Sequence, residues 1–277
     1  MLPTFIVIGS MKCGTTSLYY QLDRHPEIEM SIQKETNFFI RRQDFEKGNY
    51  EKGRDWYESR FRDRAPARGE CSPNYTKVHL FPGVAERMYK LIPNVRLIYM
   101  VRDPIERLIS HYVQNRVQGL EKRPFSKAVT DAIDNKYVLT SRYFWQLKPY
   151  LEVFSEDQIL VRSLESLRDC PSEILSDLHS FLGVDSQATD KQLQQKHFNP
   201  TDEKRIRGWW YHWLSRLISQ PVKDAIRPYL PLNWIPGTPI DRPVPSDALR
   251  RQLVEALKDD ISSFRHFTGR SFKEWSV

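Results

Sequence analysis

The chain has 277 residues, 40% of them hydrophobic, with 42 Lys and Arg against 35 Asp and Glu and a net charge of +7. That length buries one large core, and no Pro/Gly/Ser-rich linker divides it, so a single domain over 1–277 is expected. The charge favours anionic partners, but the basic residues are scattered, no nucleic-acid motif appears, and no apolar run approaches the roughly 20 residues of a bilayer span, which sets aside nucleic-acid-binding and membrane-spanning classes.

In chain order, the first predicted element is a strand over 4–9, whose Phe5-Ile6-Val7-Ile8 runs straight into Gly9-Ser10-Met11-Lys12-Cys13-Gly14-Thr15-Thr16-Ser17. A helix over 14–24 follows, with Leu18, Tyr19 and Leu22 on its apolar side. Strand, glycine- and hydroxyl-rich turn, helix start is the layout of a phosphate cradle, because glycine lets backbone approach an anion and the first N–H groups of the helix point at it. Gly9 and Gly14 have the spacing of the nucleoside-triphosphate motif GxxxxGK[ST], yet Thr15 stands where the gripping lysine belongs and the lysine is inside the loop, as Lys12. A strand starting this near Met1 leaves no room for a signal peptide. Three cysteines, Cys13, Cys71 and Cys170, make neither a disulfide framework nor a metal set, so a reducing cytoplasm is the expected location.

Further strands are predicted over 27–31, 68–71, 95–101 and 158–162, and helices over 53–62, 80–91, 104–118, 124–134, 140–154, 171–182, 206–219 and 246–267. This alternation predicts an α/β fold with a central, mainly parallel sheet flanked by helices on both faces. The strand 95–101 delivers Arg102-Asp103-Pro104 to the next helix, with Asp103 suited to its N-cap and Pro104 to its first turn. Arg102, a planar donor fork, and Ser110, a hydroxyl two turns on, would reach one phosphate together. Residues 185–236 read as a polar lid loop followed by a Trp-rich helical segment, Trp209 to Ile218. Its apolar face fits core packing, a hydrophobic acceptor wall or a membrane-surface contact between Arg207 and Arg216.

Two of these segments resemble a known family. The Lys12-Cys13-Gly14-Thr15-Thr16 loop, with its lysine two residues before the glycine, resembles the 5′-phosphosulfate loop of sulfotransferases that use 3′-phosphoadenosine 5′-phosphosulfate (PAPS). Arg102-Asp103-Pro104, continued by Arg107, Ser110 and Tyr112, resembles their 3′-phosphate signature. The likeness narrows to the heparan sulfate branch through His25-Pro26, Lys34-Glu35-Thr36-Asn37-Phe38-Phe39, the stretch from Asn49 to Tyr57, Glu70-Cys71-Ser72-Pro73-Asn74-Tyr75, and Phe267 to Phe272 with Trp275. Cys71 stands where that pattern usually has a lysine, and the segment from about 206 to 236 has no obvious counterpart. Eukaryotic members of the branch are Golgi membrane proteins, so a chain without an anchor reads as a soluble bacterial relative.

The resemblance implies a P-loop-like three-layer fold, PAPS as co-substrate, adenosine 3′,5′-bisphosphate (PAP) as product and no metal. Donor contacts would come from Lys12, Cys13, Gly14, Thr15, Thr16, Ser17, Arg102 and Ser110, with Tyr143 and Phe198 as flat faces for adenine. Asn199, Thr201 and Lys204 would close over the nucleotide from the lid. Lys12 would stabilise the charge growing on the leaving phosphate, and Glu35 would take the proton of the incoming hydroxyl. Phe38 and Phe39 would desolvate that carboxylate and raise its pKa. A plain surface glutamate paired with Lys34 or Arg41 is the competing reading. Other members use a histidine base, which makes His25, His79 and His111 rivals, although His111 would point away from Ser110's side of the helix; Glu70 is a further carboxylate. The acceptor would be a hydroxyl or amine of a carbohydrate or small molecule. Two alternatives are a kinase using the same cradle with ATP and magnesium, and a nucleotide-binding module without catalysis.

Overall fold

The computed structural model describes residues 1–62, 64–130, 135–186, 205–206 and 238–277. Five parallel strands form the central sheet: β1 (Phe5–Gly9), β2 (Ile28–Met30), β3 (Ala67–Cys71), β4 (Arg96–Val101) and β5 (Ile159–Ser163), in the order β2-β3-β1-β4-β5. All five residues of β1 are buried, which in a parallel sheet means that both faces are covered. The covering helices are α1 (Thr15–Leu22), α2 (Gly53–Glu58), α3 (Val84–Leu91), α4 (Pro104–Val117), α5 (Phe125–Ala128), α6 (Lys136–Leu139), α7 (Tyr143–Leu151), α8 (Leu164–Asp169), α9 (Pro171–Leu182) and α10 (Asp247–Thr268).

The expected α/β fold with its central parallel sheet is the one found, and all five predicted strands lie within a residue or two of their expected bounds. Several helices differ. The helix expected over 140–154 is the shorter α7, preceded by a turn at Thr140–Arg142 and by α6, which was not expected; fully buried Arg107 ties this corner, donating from Nε to Ser141 Oγ at 2.7 Å and from Nη2 to the Tyr137 carbonyl at 2.5 Å. α8 was not expected, and α5 is one turn where a longer helix was predicted over 124–134. Arg205–Ile206 pairs antiparallel with Thr238–Pro239, so Ile206, where a helix was predicted to begin, is part of a short strand. The rest of the 185–236 segment beyond Ser186, including Phe198, Asn199, Thr201, Lys204 and Trp209 to Ile218, lies outside the described residues.

Strand order decides where a site can form. β1 and β4 are neighbours, but the chain leaves β1 towards β2 and β3 on one side and β4 towards β5 on the other. Their C-terminal loops therefore diverge and open a crevice, the usual ligand position in such sheets.

The C-terminal segment locks one wall of that crevice. Trp275 stacks on Phe272 with centroids 4.1 Å apart, packs on Phe264 and Tyr143, and is 6% exposed. Next to it, the Ser276 backbone N–H donates to Asp103 Oδ2, pinning the turn that carries Arg102. Trp275→Ala is expected to lower stability by about 3–5 kcal/mol through the cavity it leaves. A urea midpoint shift at unchanged m-value measures this, and a loss below about 1 kcal/mol would place Trp275 outside the cooperative core.

Candidate active site

The crevice is a cleft of about 1400 Å³, lined by residues that follow the C-terminal ends of all five strands. From the loop after β1 come Lys12, Gly14, Thr15, Thr16 and Ser17; from the loop after β2, Glu35; and from the β4–α4 junction, Arg102 and Ser110.

Backbone geometry makes the first loop an anion cradle. Lys12 and Gly14 both adopt left-handed φ, 73° and 79°, which turns successive N–H groups to one side. No side chain caps α1 and no acidic residue sits in its first turn, so its N-terminal N–H groups are left for a ligand. Two glycines are required by close approach. A Cβ on Gly9 would lie 2.3 Å from Thr76 Oγ1, and one on Gly14 would lie 2.5 Å from Leu164 Cδ1. Cys13 contributes backbone only. Its side chain is fully buried, its thiol lies 3.7 Å from the Tyr143 hydroxyl, and burial pushes it up to about 11. An oxidised or bulky side chain at Cys13 would thus meet the core and not the cradle.

At the β4–α4 junction, Asp103 caps the helix by accepting the Glu106 N–H at 2.8 Å, and Pro104 occupies the first turn, as the sequence predicts. The cap fixes Arg102 at the cleft, where its side chain is 12% exposed. One Arg102 Nη2 bond goes to Glu106 at 3.1 Å, while the buried Nε has no hydrogen-bond partner. Ser110 faces the same cleft from one face of α4. The Arg102 Nε, which makes no hydrogen bond and lies 4.0 Å from Glu165 Oε1, fits a phosphorylated ligand together with the Ser110 hydroxyl and the uncapped helix start on the same cleft.

Glu35 sits in a strained loop. It and Asn37 are non-glycine residues at φ 64° and 46°, conformations that each cost about 1–3 kcal/mol and persist where surroundings over-determine them. Here they do: Glu35 N donates to the Cys71 carbonyl at 3.0 Å, Asn37 N to Ser72 Oγ at 3.1 Å, and Asn37 Nδ2 to the Glu35 carbonyl at 3.1 Å. Beneath the loop, fully buried Glu70 accepts from the Thr36 hydroxyl, and burial pushes its pKa up to about 7 against its hydroxyl donors. Glu70 does not line the cleft, so it supports the loop and is not a rival base.

Three expectations about this site need correction. Phe38 and Phe39 do not enclose the Glu35 carboxylate. Phe38 stacks on Tyr57 at 4.1 Å and Phe39 packs edge-on against Tyr57 and Tyr75, while Glu35 is 42% exposed on its side chain and ion-paired with Lys34 at 2.7 Å. That pair is the one the surface reading anticipates, yet Glu35 still opens on the cleft. Tyr143 offers no face to adenine. It is fully buried against Phe264 and Trp275, and its hydroxyl donates to the Arg102 carbonyl at 2.7 Å, supporting Arg102 from behind. His111 does face the cleft, 6% exposed, and burial with nearby Arg107 and Lys77 holds its pKa well below the usual histidine range. His25, by contrast, bonds the Asp185 carbonyl and packs on His179 away from the cleft, and His79 bonds Gln146, also off the cleft.

Sequence reasoning overlooked a polar stripe of α4. Ser110, His111, Gln114, Asn115 and Gln118 all line the cleft, and their spacing of i, i+1, i+4, i+5 and i+8 is one helical face that the sequence already carries. Lys77 and Asn74 were also missed. No group of three or more His, Cys, Asp or Glu side chains among the described residues is placed to hold a metal ion, and no helix among them is long and apolar enough to cross a membrane.

Comparison with known proteins agrees with this geometry. Mouse heparan sulfate glucosamine 3-O-sulfotransferase 3B1 is 32% identical over 254 residues, covering 82% of this chain and 61% of that enzyme. Mouse bifunctional heparan sulfate N-deacetylase/N-sulfotransferase 1 is 28% identical over 200 residues, 66% of this chain but 22% of its own length. The chain thus spans between about a fifth and three-fifths of these relatives. A crystal structure of a sulfotransferase from Alicyclobacillus acidocaldarius shares the fold over 100% of both chains, with a TM-score of 0.72 at 23% identity. The fold of a mouse sulfotransferase solved in complex with PAP matches over 96% of this chain and 88% of that one, with a TM-score of 0.55 at 16% identity. The family model of the sulfotransferase domain matches residues 2–220. With the phosphate loop, the Arg102 junction and the sheet order all in place, the chain belongs to the sulfotransferase family.

Proposed function

We propose that the chain transfers the sulfuryl group of PAPS to a hydroxyl or amine of a carbohydrate or small-molecule acceptor by in-line displacement. The observation that carries this reading is that one cleft gathers Lys12 and its N–H cradle, the Arg102–Ser110 pair and the Glu35 carboxylate. The cradle and Lys12 meet the 5′-phosphosulfate, and Arg102 with Ser110 reads the 3′-phosphate. Charge grows on the oxygen between sulfur and the leaving phosphate, so a cation there binds the transition state more strongly than the ground state. Glu35 takes the acceptor proton on its second oxygen, Oε2, while Lys34 holds Oε1 and fixes the carboxylate's orientation. On this reading Phe198, Asn199, Thr201 and Lys204 are further nucleotide contacts, the chain acts as one domain, and the setting is cytoplasmic.

A carbohydrate acceptor is favoured by the cleft-lining amides of Gln114 on α4 and Gln118 at its C-cap, which offer paired donors and acceptors to a polyhydroxylated ring. Titration of PAP against ADP with magnesium tests the donor assignment, since a kinase would prefer the latter. Turnover of labelled PAPS with a panel of glucosamine-containing oligosaccharides and phenols tests catalysis, because a binding module would take up PAP and turn nothing over.

The 3′-phosphate assignment has its own test. Arg102→Ala should raise the donor KM by roughly 10- to 100-fold, the worth of one charge-assisted hydrogen-bond set. The same change should erase the preference for a nucleotide carrying the 3′-phosphate. Equal weakening of ligands with and without that phosphate would contradict the role.

A further inference from the structure

The cleft extends beyond the groups that the mechanism above employs. Helix α4 sets the scale: Gln118, at its C-cap, lies eight residues beyond Ser110, about 12 Å further along the helix axis. Leu120 follows in the next turn, fixed by its N–H to the Asn115 carbonyl at 2.9 Å, and lines the cleft while 66% exposed. Two other turns bring apolar side chains to the same cleft. After β3, the Leu80 and Phe81 N–H groups both donate to the Lys77 carbonyl at 2.9 Å, a turn that leaves Leu80 48% exposed. In the turn over 41–48, the Asp44 and Phe45 N–H groups both donate to the Arg41 carbonyl at 3.1 Å, and the Gly48 N–H donates to the Phe45 carbonyl at 2.7 Å. A Cβ on Gly48 would lie 2.5 Å from the Arg41 carbonyl oxygen, so this compact turn requires glycine. It sets Phe45 against Phe81 with ring centroids 5.4 Å apart, and both rings line the cleft.

A single exposed leucine needs no explanation. Four large apolar side chains in one cleft, carried by hydrogen-bonded turns and adjoining the amides of Gln114 and Gln118, are what a ligand with an apolar group beside a polar one requires. The charges point the same way. The turn that presents Phe45 also places Asp44 and Lys47 along the cleft, and these two cancel, so the turn brings no net field to hold a polyanion.

Resting on the sulfuryl-transfer reading, we propose that Phe45, Leu80, Phe81 and Leu120 form an acceptor subsite for an apolar alkyl or aryl group, so that the acceptor is an amphipathic glycoside and not a polyanionic sugar chain. Its reacting hydroxyl meets Glu35, its other hydroxyls meet the Gln114 and Gln118 amides, and its apolar group covers the Phe45–Phe81 pair. The subsite acts on acceptor binding alone; the proton and the sulfuryl group move as described above.

Calorimetric titration of the whole chain, saturated with PAP, reads the subsite without turnover. The probes are n-alkyl glucosides from methyl to octyl and phenyl glucoside, each below its micelle concentration. Affinity should rise roughly two- to fourfold with each added methylene, and the phenyl arm shows whether an aryl group is taken as well as an alkyl chain. Leu80→Gln with Leu120→Gln puts polar groups at two exposed positions, where the core is not disturbed. This pair should cut the octyl-to-methyl affinity ratio by roughly tenfold or more, and Phe45→Ala should lower it in the same sense, with PAP affinity within about twofold of wild type. An affinity that does not rise with chain length, a ratio that these variants leave unchanged, or tighter binding of a sulfated glucosamine-containing oligosaccharide than of octyl glucoside would each overturn the proposal. Failure of the wild type to prefer PAP over ADP with magnesium would instead remove the sulfotransferase reading, and this proposal with it, before any variant is made.

Discussion

Lys12→Ala is expected to abolish turnover, with kcat reduced by roughly 10³-fold, while PAP binding is only weakened. The asymmetry follows from where the charge is. In the bound donor the bridging oxygen carries little charge, whereas at the transition state it is becoming a phosphate oxygen, so an ammonium there stabilises the second state most. The substitution is also a clean one. Lys12 lies at φ 73°, and alanine meets the same left-handed penalty as lysine, so the loop conformation is not relaxed by the change as it would be with glycine. Single-turnover rates with labelled PAPS, beside calorimetric PAP affinity, separate the two effects. An unchanged kcat would remove Lys12 from the mechanism.

Glu35→Gln is expected to lower kcat by about 10²–10⁴-fold, the usual contribution of a positioned base, with PAP affinity near wild type. Glutamine keeps the size and the hydrogen-bonding reach but cannot take a proton. It also leaves Lys34 without its ion-pair partner, so Lys34→Met is the control: it removes the same ion pair while the carboxylate remains, and a much smaller loss there assigns the effect to the base. An acidic phenol, already ionised at assay pH, should partly escape the loss in Glu35→Gln. Normal turnover of an alcohol acceptor by Glu35→Gln would make Glu35 a surface residue. His111, the one histidine candidate facing the cleft, would then be the base to test.

The parts of this protein that sequence alone determined are those with local causes. Phe5 to Ile8 and Leu97 to Val101 are apolar runs too short for helices and too buried for anything but central parallel strands. The cradle is equally local: Gly9 and Gly14 at fixed spacing after a strand, and an Asp103-Pro104 pair that caps α4 and sets Arg102 beside it. Both were legible because turn and cap chemistry act over four or five residues.

Only the tertiary structure decided the rest. Arg107 is fully buried and ties the corner between α6 and α7 by donating to the Tyr137 carbonyl and the Ser141 hydroxyl, a role its sequence neighbours do not show. Tyr143 is an aromatic in a plausible place for adenine that packs instead under Trp275, more than a hundred residues away in the chain. Glu35 owes its strained conformation to Cys71, and its Asn37 neighbour to Ser72. Lys77 looks like any loop lysine until the sheet order brings the ends of β1, β3 and β4 together around it. Burial and field are sums over neighbours distant in sequence, so the sequence could name the residues that make the cradle, and only the assembled sheet could say which side chains look into it.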